Sequence, residues 1–432
     1  MEYRECKGSI PVDIGNDEYI SIERNTPLKM YSVGFQPAKC IPEIPEWFLR
    51  KYLKSSKDIK VLEPFAGSGT TIIEAIKNNN TVYWMDNNPL SRLICECKSN
   101  AVDLLELEEA LMHILNTVKE INDVQVTLVF ANIDLWFQKP VQEALTLIKQ
   151  NIDVIENQAV KKALLVAFSS TVRKMSEMED SMILAARRSG NREMPKYDRI
   201  DVFDNFESNV RKIISAYEEW NPIIGNDRNS FMIDSNDARD VRKEEFFDAI
   251  VTSPPYINAM DYIWACKFEL HWLDLVSDDK DRLRVSSNEI GTERISAKIY
   301  KKLAITENEE LNRILSDIYT GKEYKASKGQ NELRSRVTYQ YFEDMRIHFK
   351  SAYKSLKNNG LYCFIIGDTS KICGVEIPVA NMLRDIATSI GFEEKFRFNL
   401  LLKNRKLNIP RASFAGTIQH DTVIVLRKKE HK

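Results

Sequence analysis

Val61-Leu62-Glu63-Pro64-Phe65-Ala66-Gly67-Ser68-Gly69-Thr70-Thr71 decides the fold. A short apolar run ends in a turn with two glycines, after which Ile72, Ile73, Ala75 and Ile76 share one helical face. The order is strand, glycine turn, helix. Thr81-Val82-Tyr83-Trp84-Met85 gives a second strand ending at Asp86, and Asn87-Asn88-Pro89 opens another helix. Two strands joined through a helix make a parallel βαβ unit, the start of a doubly wound α/β sheet.

Upstream, residues 1–29 show no clear period and read as an N-terminal arm. Pro42 then starts a helix with Ile44, Trp47, Phe48 and Tyr52 at helical spacing. Downstream, residues 101–225 change to long helical periods, near 104 to 118, 141 to 155 and 160 to 175, and read as a largely helical insertion domain. Its polar stretch holds Arg187, Arg188, Arg192, Lys196 and Arg199.

The sheet pattern resumes at Phe231-Met232-Ile233, passes Asp237-Ala238-Arg239-Asp240, and reaches Phe247-Asp248-Ala249-Ile250-Val251-Thr252 before Ser253-Pro254-Pro255-Tyr256. A second insertion, 277–335, is polar and basic. A helix near 341 to 356, a turn at Asn358-Asn359-Gly360, and a strand from Leu361 to Ile366 follow. Another helix at 379 to 390 and two strands near 395 to 402 and 422 to 426 close the chain as a hairpin. The core is thus 30–100 with 226–276 and 336–432.

Net charge is −2, with 61 Lys and Arg against 63 Asp and Glu, so a nucleic-acid enzyme of this composition must concentrate positive surface locally. The seven cysteines are scattered and the five histidines far apart, which gives neither a disulfide framework nor a zinc spacing. No metal is expected. No apolar run approaches the ~20 residues that cross a bilayer, and Met1-Glu2-Tyr3-Arg4-Glu5 lacks a secretory apolar region. No membrane association and a cytoplasmic location are expected.

The turn Pro64-Phe65-Ala66-Gly67-Ser68-Gly69-Thr70 suits a cofactor. Glycines permit positive φ and close approach of a ligand, and the following helix offers N–H groups to an anion. By itself such a turn is often only a tight connection. Asp86 ends the next strand, where a nucleoside ribose is held through its hydroxyls; the competing reading is a helix N-cap. With the glycine turn upstream, nucleoside binding is the stronger of the two.

Ser253-Pro254-Pro255-Tyr256 carries the reaction chemistry. An exocyclic amino group on a base is a poor nucleophile because its lone pair is delocalised into the ring. Acceptors for both N–H groups favour a pyramidal nitrogen, and the Ser253 hydroxyl and Pro254 carbonyl supply two. The prolines stiffen the loop, and Tyr256 can stack on a base rotated out of a duplex. The competing reading is a strand end with Tyr256 packed as a lid.

These segments together resemble the amino-group DNA methyltransferases, the cytosine-N4 and adenine-N6 enzymes. The glycine turn is similar to their S-adenosyl-L-methionine motif, Asp86 with Asn87 to the ribose-binding position, and Asp237, expected to end a strand just before the catalytic one, with Ala238 to the site that meets the cofactor adenine. Phe35-Gln36-Pro37-Ala38-Lys39-Cys40-Ile41-Pro42 resembles the segment completing the methionine side, which makes Lys39 a cofactor residue. Ser253-Pro254-Pro255-Tyr256 resembles the catalytic tetrad, with serine at its head more typical of cytosine-N4 enzymes. The resemblance implies a Rossmann-like methyltransferase sheet, a double-stranded DNA substrate, and a separate restriction endonuclease as a partner where the enzyme is not solitary.

Neither insertion matches a motif of that family. Arg187, Arg188 and Arg192 in the first, Lys325, Lys328, Arg334 and Arg336 in the second, and Lys403, Arg405, Lys406 and Arg411 between the last strands are candidate phosphate contacts. Each cluster is equally readable as a solvated face. An RNA amino-methyltransferase, a protein-glutamine methyltransferase and a non-catalytic nucleic-acid-binding scaffold are the rival readings.

Overall fold

The computed structural model describes residues 3–54, 58–128, 130–179, 182–187, 195–225, 229–257, 261–401 and 420–430. Its strands are β1 (Arg4–Lys7), β2 (Tyr19–Glu23), β3 (Lys60–Glu63), β4 (Thr81–Trp84), β5 (Ser230–Met232), β6 (Phe247–Thr252), β7 (Leu356–Gly367), β8 (Ser370–Ile372), β9 (Val375–Ile377), β10 (Phe392–Leu401) and β11 (His420–Lys428). Nine form one sheet in the order β1-β2-β10-β11-β7-β6-β3-β4-β5, while β8 and β9 pair separately. β11 runs antiparallel to both β10 and β7. The other pairs in the sheet are parallel.

Strand alternation assigns the two faces. In β6, Ala249 and Val251 join one buried cluster and Ile250 the other; in β7, Cys363 and Ile365 oppose Tyr362, Phe364 and Ile366; in β11, Val423 and Val425 oppose Ile424 and Leu426. A sheet apolar on both faces must be covered twice. Helices Glu43–Tyr52, Thr70–Lys77 and Pro89–Lys98 cover the first face together with the insertion helices. The second carries the long helix Gln330–Ser355 and the helices Glu309–Thr320 and Val379–Ile390.

Strand order reverses beside β3, which lies between β4 and β6. Ligands of doubly wound sheets bind at the carboxyl ends of strands at such a switch point. The glycine turn leaves the end of β3 and Ser253 leaves the end of β6, so adjacent strands deliver both to one edge.

Helices Leu104–Glu120, Lys139–Asp153, Gln158–Met175 and Arg199–Ile224 pack on one another within residues 101–225. Among the described residues no helix is long and apolar enough to cross a membrane.

Four expectations need correction. The stretch read as an irregular arm contains β1 and β2, and β2 extends the sheet by pairing Tyr19 with Asn399 of β10. Strands this short, with a partner some 380 positions away, leave no periodic signal. The long helix begins at Gln330, inside the stretch assigned to the second insertion and well before the expected start near 341. Asp237 does not end a strand: β5 stops at Met232, and Asp237 sits in the loop beyond. The turn at Asn358-Asn359-Gly360 is an irregularity inside β7, whose register on β6 shifts between Leu356 and Leu361, with Asn359 at φ 63°.

Candidate active site

Backbone hydrogen bonds shape the glycine turn: Ala66 N–H donates to Met85 O (3.1 Å) and Gly69 N–H to Ala66 O (2.7 Å). Gly67 and Gly69 take φ of 48° and 75°, where a β-carbon is unfavourable. A β-carbon on Gly67 would meet only Phe65 O, at 3.8 Å, so the turn is open on that side. No side chain caps the following helix, Thr70–Lys77.

Asp86 ties this turn to the next helix. Its two carboxylate oxygens accept the N–H of Gly67 and of Asn88, both at 2.8 Å. The Ser91 hydroxyl bonds the same carboxyl, whose lone pairs leave room for a further hydroxyl donor. Burial raises the Asp86 carboxyl above its ordinary range despite those bonds. Asn88 caps helix Pro89–Lys98 through Leu90 N–H, so the capping role belongs to Asn88 and not to Asp86. Asn87 donates to Val285 O (3.1 Å) in the second insertion.

The upstream segment lies against the glycine turn and helix Pro89–Lys98. Thr70 Oγ1 donates to Cys40 O (3.4 Å), and Gln36 Nε2 to Ser91 Oγ (2.8 Å). Gly34, at φ 78°, lies so close to Ile94 that a β-carbon would be 2.7 Å from its side chain. Lys39 Nζ donates to Tyr31 O (3.1 Å) and Gly34 O (3.4 Å), and burial lowers its pKa.

Thr252, the last residue of β6, donates its hydroxyl to Glu63, the last residue of β3. Glu63 also accepts the Phe65 N–H at 3.0 Å. Ser253 Oγ has a long contact to Ile365 O, 3.4 Å. Tyr256 donates its hydroxyl to Asp421 of β11 at 2.8 Å. Pro254 is buried and Pro255 half-buried. One edge therefore gathers the glycine turn, Asp86, Asn87 and the tetrad.

Asp237 and Ala238 are held from the long helix. Arg239 Nε approaches the two Asp237 oxygens at 2.8 and 3.1 Å, while its Nη1 reaches Asp344 at 2.9 Å. His348 Nδ1 bonds Ala238 O at 2.8 Å and Ser351 Oγ accepts Val241 N–H at 2.9 Å. Positions 344, 348 and 351 lie on one helical face. The His348 ring also stands edge-on to Phe65 of the glycine turn, 4.9 Å between centroids, so it touches both loops.

Glu63, Lys98, Arg239, His348 and Asp421 were not singled out from sequence. Glu63 had a local signal, an acid ending an apolar strand just before Pro64. Asp421 had a similar one, just before the apolar run Val423 to Leu426. Lys98 and His348 had none: Lys98 is fully buried with its Nζ on Ser68 O (2.8 Å), an arrangement set only by tertiary packing.

The basic candidates divide. Arg187 pairs with Glu177 (3.2 Å), Arg334 with Glu293, and Arg336 lies over the Tyr339 ring at 4.5 Å. Lys325 and Lys328 are exposed. Arg188, Arg192, Lys403, Arg405, Lys406 and Arg411 lie outside the described residues. All seven cysteines are free thiols, and no group of metal-binding side chains occurs among the described residues.

A large, mainly parallel sheet flanked by helices, with the glycine turn at the end of β3, is consistent with a Rossmann-like methyltransferase. Curated relatives agree in kind. The chain is 22% identical over 413 residues to the Type II methyltransferase M.MvaI of Kocuria varians, spanning 91% of this chain and 88% of that one. It is 24% identical over 404 residues to the Type II methyltransferase M.AvaI of Anabaena variabilis, spanning 83% and 81%. A shorter stretch of 89 residues is 34% identical to the Type II methyltransferase M.MjaII of Methanocaldococcus jannaschii, 20% of this chain and 16% of that one. No family model matches the chain. Among solved structures, the ATP-dependent Type ISP restriction-modification enzyme LlaBIII bound to DNA aligns with 94% of this chain and 19% of its own, at 13% identity and a TM-score of 0.22, too low to define a shared fold.

Proposed function

We propose that this chain is an S-adenosylmethionine-dependent DNA methyltransferase acting on the N4 amino group of cytosine in a flipped-out base. The observation that carries the reading is the junction of β3 and β6, where Glu63 and Thr252 bind the glycine turn to the tetrad at one sheet edge. Likeness to Type II methyltransferases over most of the chain supports it. The same likeness supports a DNA substrate, which we take to be double-stranded, and the proposal includes a separate endonuclease completing a restriction-modification pair.

The residues fit the cofactor: Gly67 leaves its side of the turn open, and Asp86, with bonds from Gly67, Asn88 and Ser91, has room for a further hydroxyl donor. Pro64 to Thr70 would hold it with Lys39, Asp86, Asn87, Asp237 and Ala238. When bound, it supplies an electrophilic methyl group on a sulfonium sulfur. The chain's own residues prepare the nucleophile. Ser253 Oγ and Pro254 O accept the two amino hydrogens, which favours a pyramidal nitrogen with its lone pair free of the ring. Pro254 and Pro255 keep those acceptors aimed. Asp421 anchors the Tyr256 hydroxyl and so orients the ring as a stacking surface for the extruded base. Positioning, without a covalent enzyme adduct, carries the rate.

Nucleoside mass spectrometry of DNA incubated with the enzyme and cofactor tests this. N4-methylcytosine is expected. N6-methyladenine would move the target to adenine, and label entering only RNA or protein would overturn the assignment. Ser253→Ala should abolish transfer with cofactor binding intact; near-normal methylation by that variant would refute the acceptor mechanism.

A further inference from the structure

The described arginines of the helical insertion and its Lys149 are answered by acids, and its lysines without an ion pair among the described residues, such as Lys119, Lys161 and Lys212, are scattered over separate helices. Arg187 pairs with Glu177, Arg199 with Glu143 at 2.6 Å, Arg211 with Glu207 at 2.7 Å, and Lys149 with Asp153 and Asp274 at 2.8 and 2.6 Å. The second insertion is different. Lys298, Lys301, Lys302, Lys325 and Lys328 are exposed, and none has an ion pair among the described residues, while Lys322 alone of that run is held, by Asp317 at 3.0 Å.

These lysines form one face. Tyr319 donates to the carbonyl of Lys301 at 2.7 Å, and the Tyr300 hydroxyl lies 3.9 Å from the β-carbon position of Gly329. Asn331, at the start of the long helix, donates to Ile318 O and Tyr324 O and accepts from Ala326 N–H. Segments 297–302 and 322–329 are therefore fixed side by side on helix Glu309–Thr320 and the first turn of helix Gln330–Ser355. Ile299, Leu303 and Ile305 stand exposed among the lysines, at 46%, 39% and 78%.

The face stands on the catalytic side. The long helix leads into β7, so its first turn lies toward the carboxyl ends of the parallel strands. Asp344 and His348 are level with the Asp237-Ala238 loop, and the helix continues 14 residues beyond Asp344 to Gln330, about 21 Å. Arg294 Nη2 and Ser286 Oγ, both 3.0 Å from Asp261 Oδ2, tie the insertion to the chain just past the tetrad.

We propose that this lysine face binds the backbone of duplex DNA and sets Ile299, Leu303 and Ile305 toward base edges, making the second insertion, and not the helical one, the target-recognition element. Uncompensated lysines meet phosphates and position the duplex, while apolar side chains between them reach groove features such as thymine methyls. The inference rests on the DNA methyltransferase reading above.

The test is the salt dependence of duplex binding, followed by fluorescence anisotropy from about 50 to 200 mM salt. A variant carrying Lys→Gln at all five positions should bind roughly tenfold or more weakly at the low end. Its log–log slope should be shallower by about 0.9 for each phosphate that the protein no longer neutralises. Affinity for S-adenosylhomocysteine and the unfolding temperature should not change. The split variants, 298/301/302 and 325/328, should each remove part of the slope, which keeps the test decisive if the combined variant folds poorly. A control with Lys119→Gln, Lys161→Gln and Lys212→Gln in the helical insertion should keep the wild-type slope. An unchanged slope in the lysine-face variants, a flattened slope in the control, or tighter binding of RNA than of DNA would overturn the inference. Wild-type protein that binds S-adenosylhomocysteine and DNA yet transfers no methyl group to DNA would instead overturn the proposed function.

Discussion

The Thr252 hydroxyl donates its hydrogen bond to a carboxyl oxygen of Glu63, joining the end of β6 to the end of β3. Burial pushes the Glu63 carboxyl up to about 8, against the lowering effect of its bonds from Thr252, Thr71 and Phe65. The folded protein therefore holds a proton that the unfolded chain, ionising near 4.5, gives up. Between those values the native state binds more protons, so this contribution to stability is full below 4.5 and is lost as pH rises toward 8. Glu63→Gln keeps an acceptor for Thr252 and does not titrate. Its unfolding temperature should gain on wild type as pH rises through that window; parallel curves for the two proteins would refute the assignment.

Removing the Tyr256–Asp421 bond should affect turnover and not cofactor binding. One hydrogen bond is worth about 1 kcal/mol, so Tyr256→Phe should lower kcat roughly fivefold to tenfold if the bond orients the ring. Asp421→Asn retains an acceptor oxygen and should fall between wild type and Asp421→Ala. Steady-state kinetics with saturating cofactor separates these outcomes. A rise in KM for cofactor with kcat unchanged would contradict the orienting role.

Local order carried much of the core: strand, glycine turn and helix at 60–77, the strand into Ser253, and the helix Val379–Ile390 follow from short-range apolar period and punctuation. Contacts between distant segments did not. The edge strand β2 depends on β10, and the charge of Asp237 is met by Arg239, which is itself fixed by Asp344 more than a hundred residues later. His348 reads as one polar residue on a helix until packing sets it between Phe65, Ala238 and Tyr362. A period reports which face of an element is buried, but not what that face meets.

His348 should act as a positioning residue for cofactor binding. It touches Phe65 and holds Ala238 O through Nδ1, while Nε2 bonds the Tyr362 hydroxyl at 2.7 Å. Burial lowers its pKa to about 4, so near neutral pH the ring is uncharged, donating through Nδ1 and accepting at Nε2. His348→Leu leaves Ala238 O without its partner and should weaken S-adenosylhomocysteine binding by roughly tenfold, with kcat at saturating cofactor nearly kept. Calorimetric titration gives the affinity, and an equal loss in kcat with unchanged affinity would place His348 elsewhere in the cycle.

Lys98 is the other hidden support of the cofactor turn. It is fully buried, its ammonium donates to Ser68 O at 2.8 Å, and burial, assisted by Lys39, lowers its pKa to about 7. Its ordinary value is 10.5, so between 7 and 10.5 the unfolded chain binds the extra proton and stability rises with pH across that range. Lys98→Met keeps the bulk of the side chain but neither titrates nor donates. The variant should lack this rise in unfolding temperature and bind S-adenosylhomocysteine more weakly at neutral pH, because Ser68 O loses its donor and the turn relaxes. Paired melting curves from about pH 7 to 10 and one titration at about pH 7.5 check both halves. A variant that keeps the wild-type pH trend and affinity would remove Lys98 from the support of the turn.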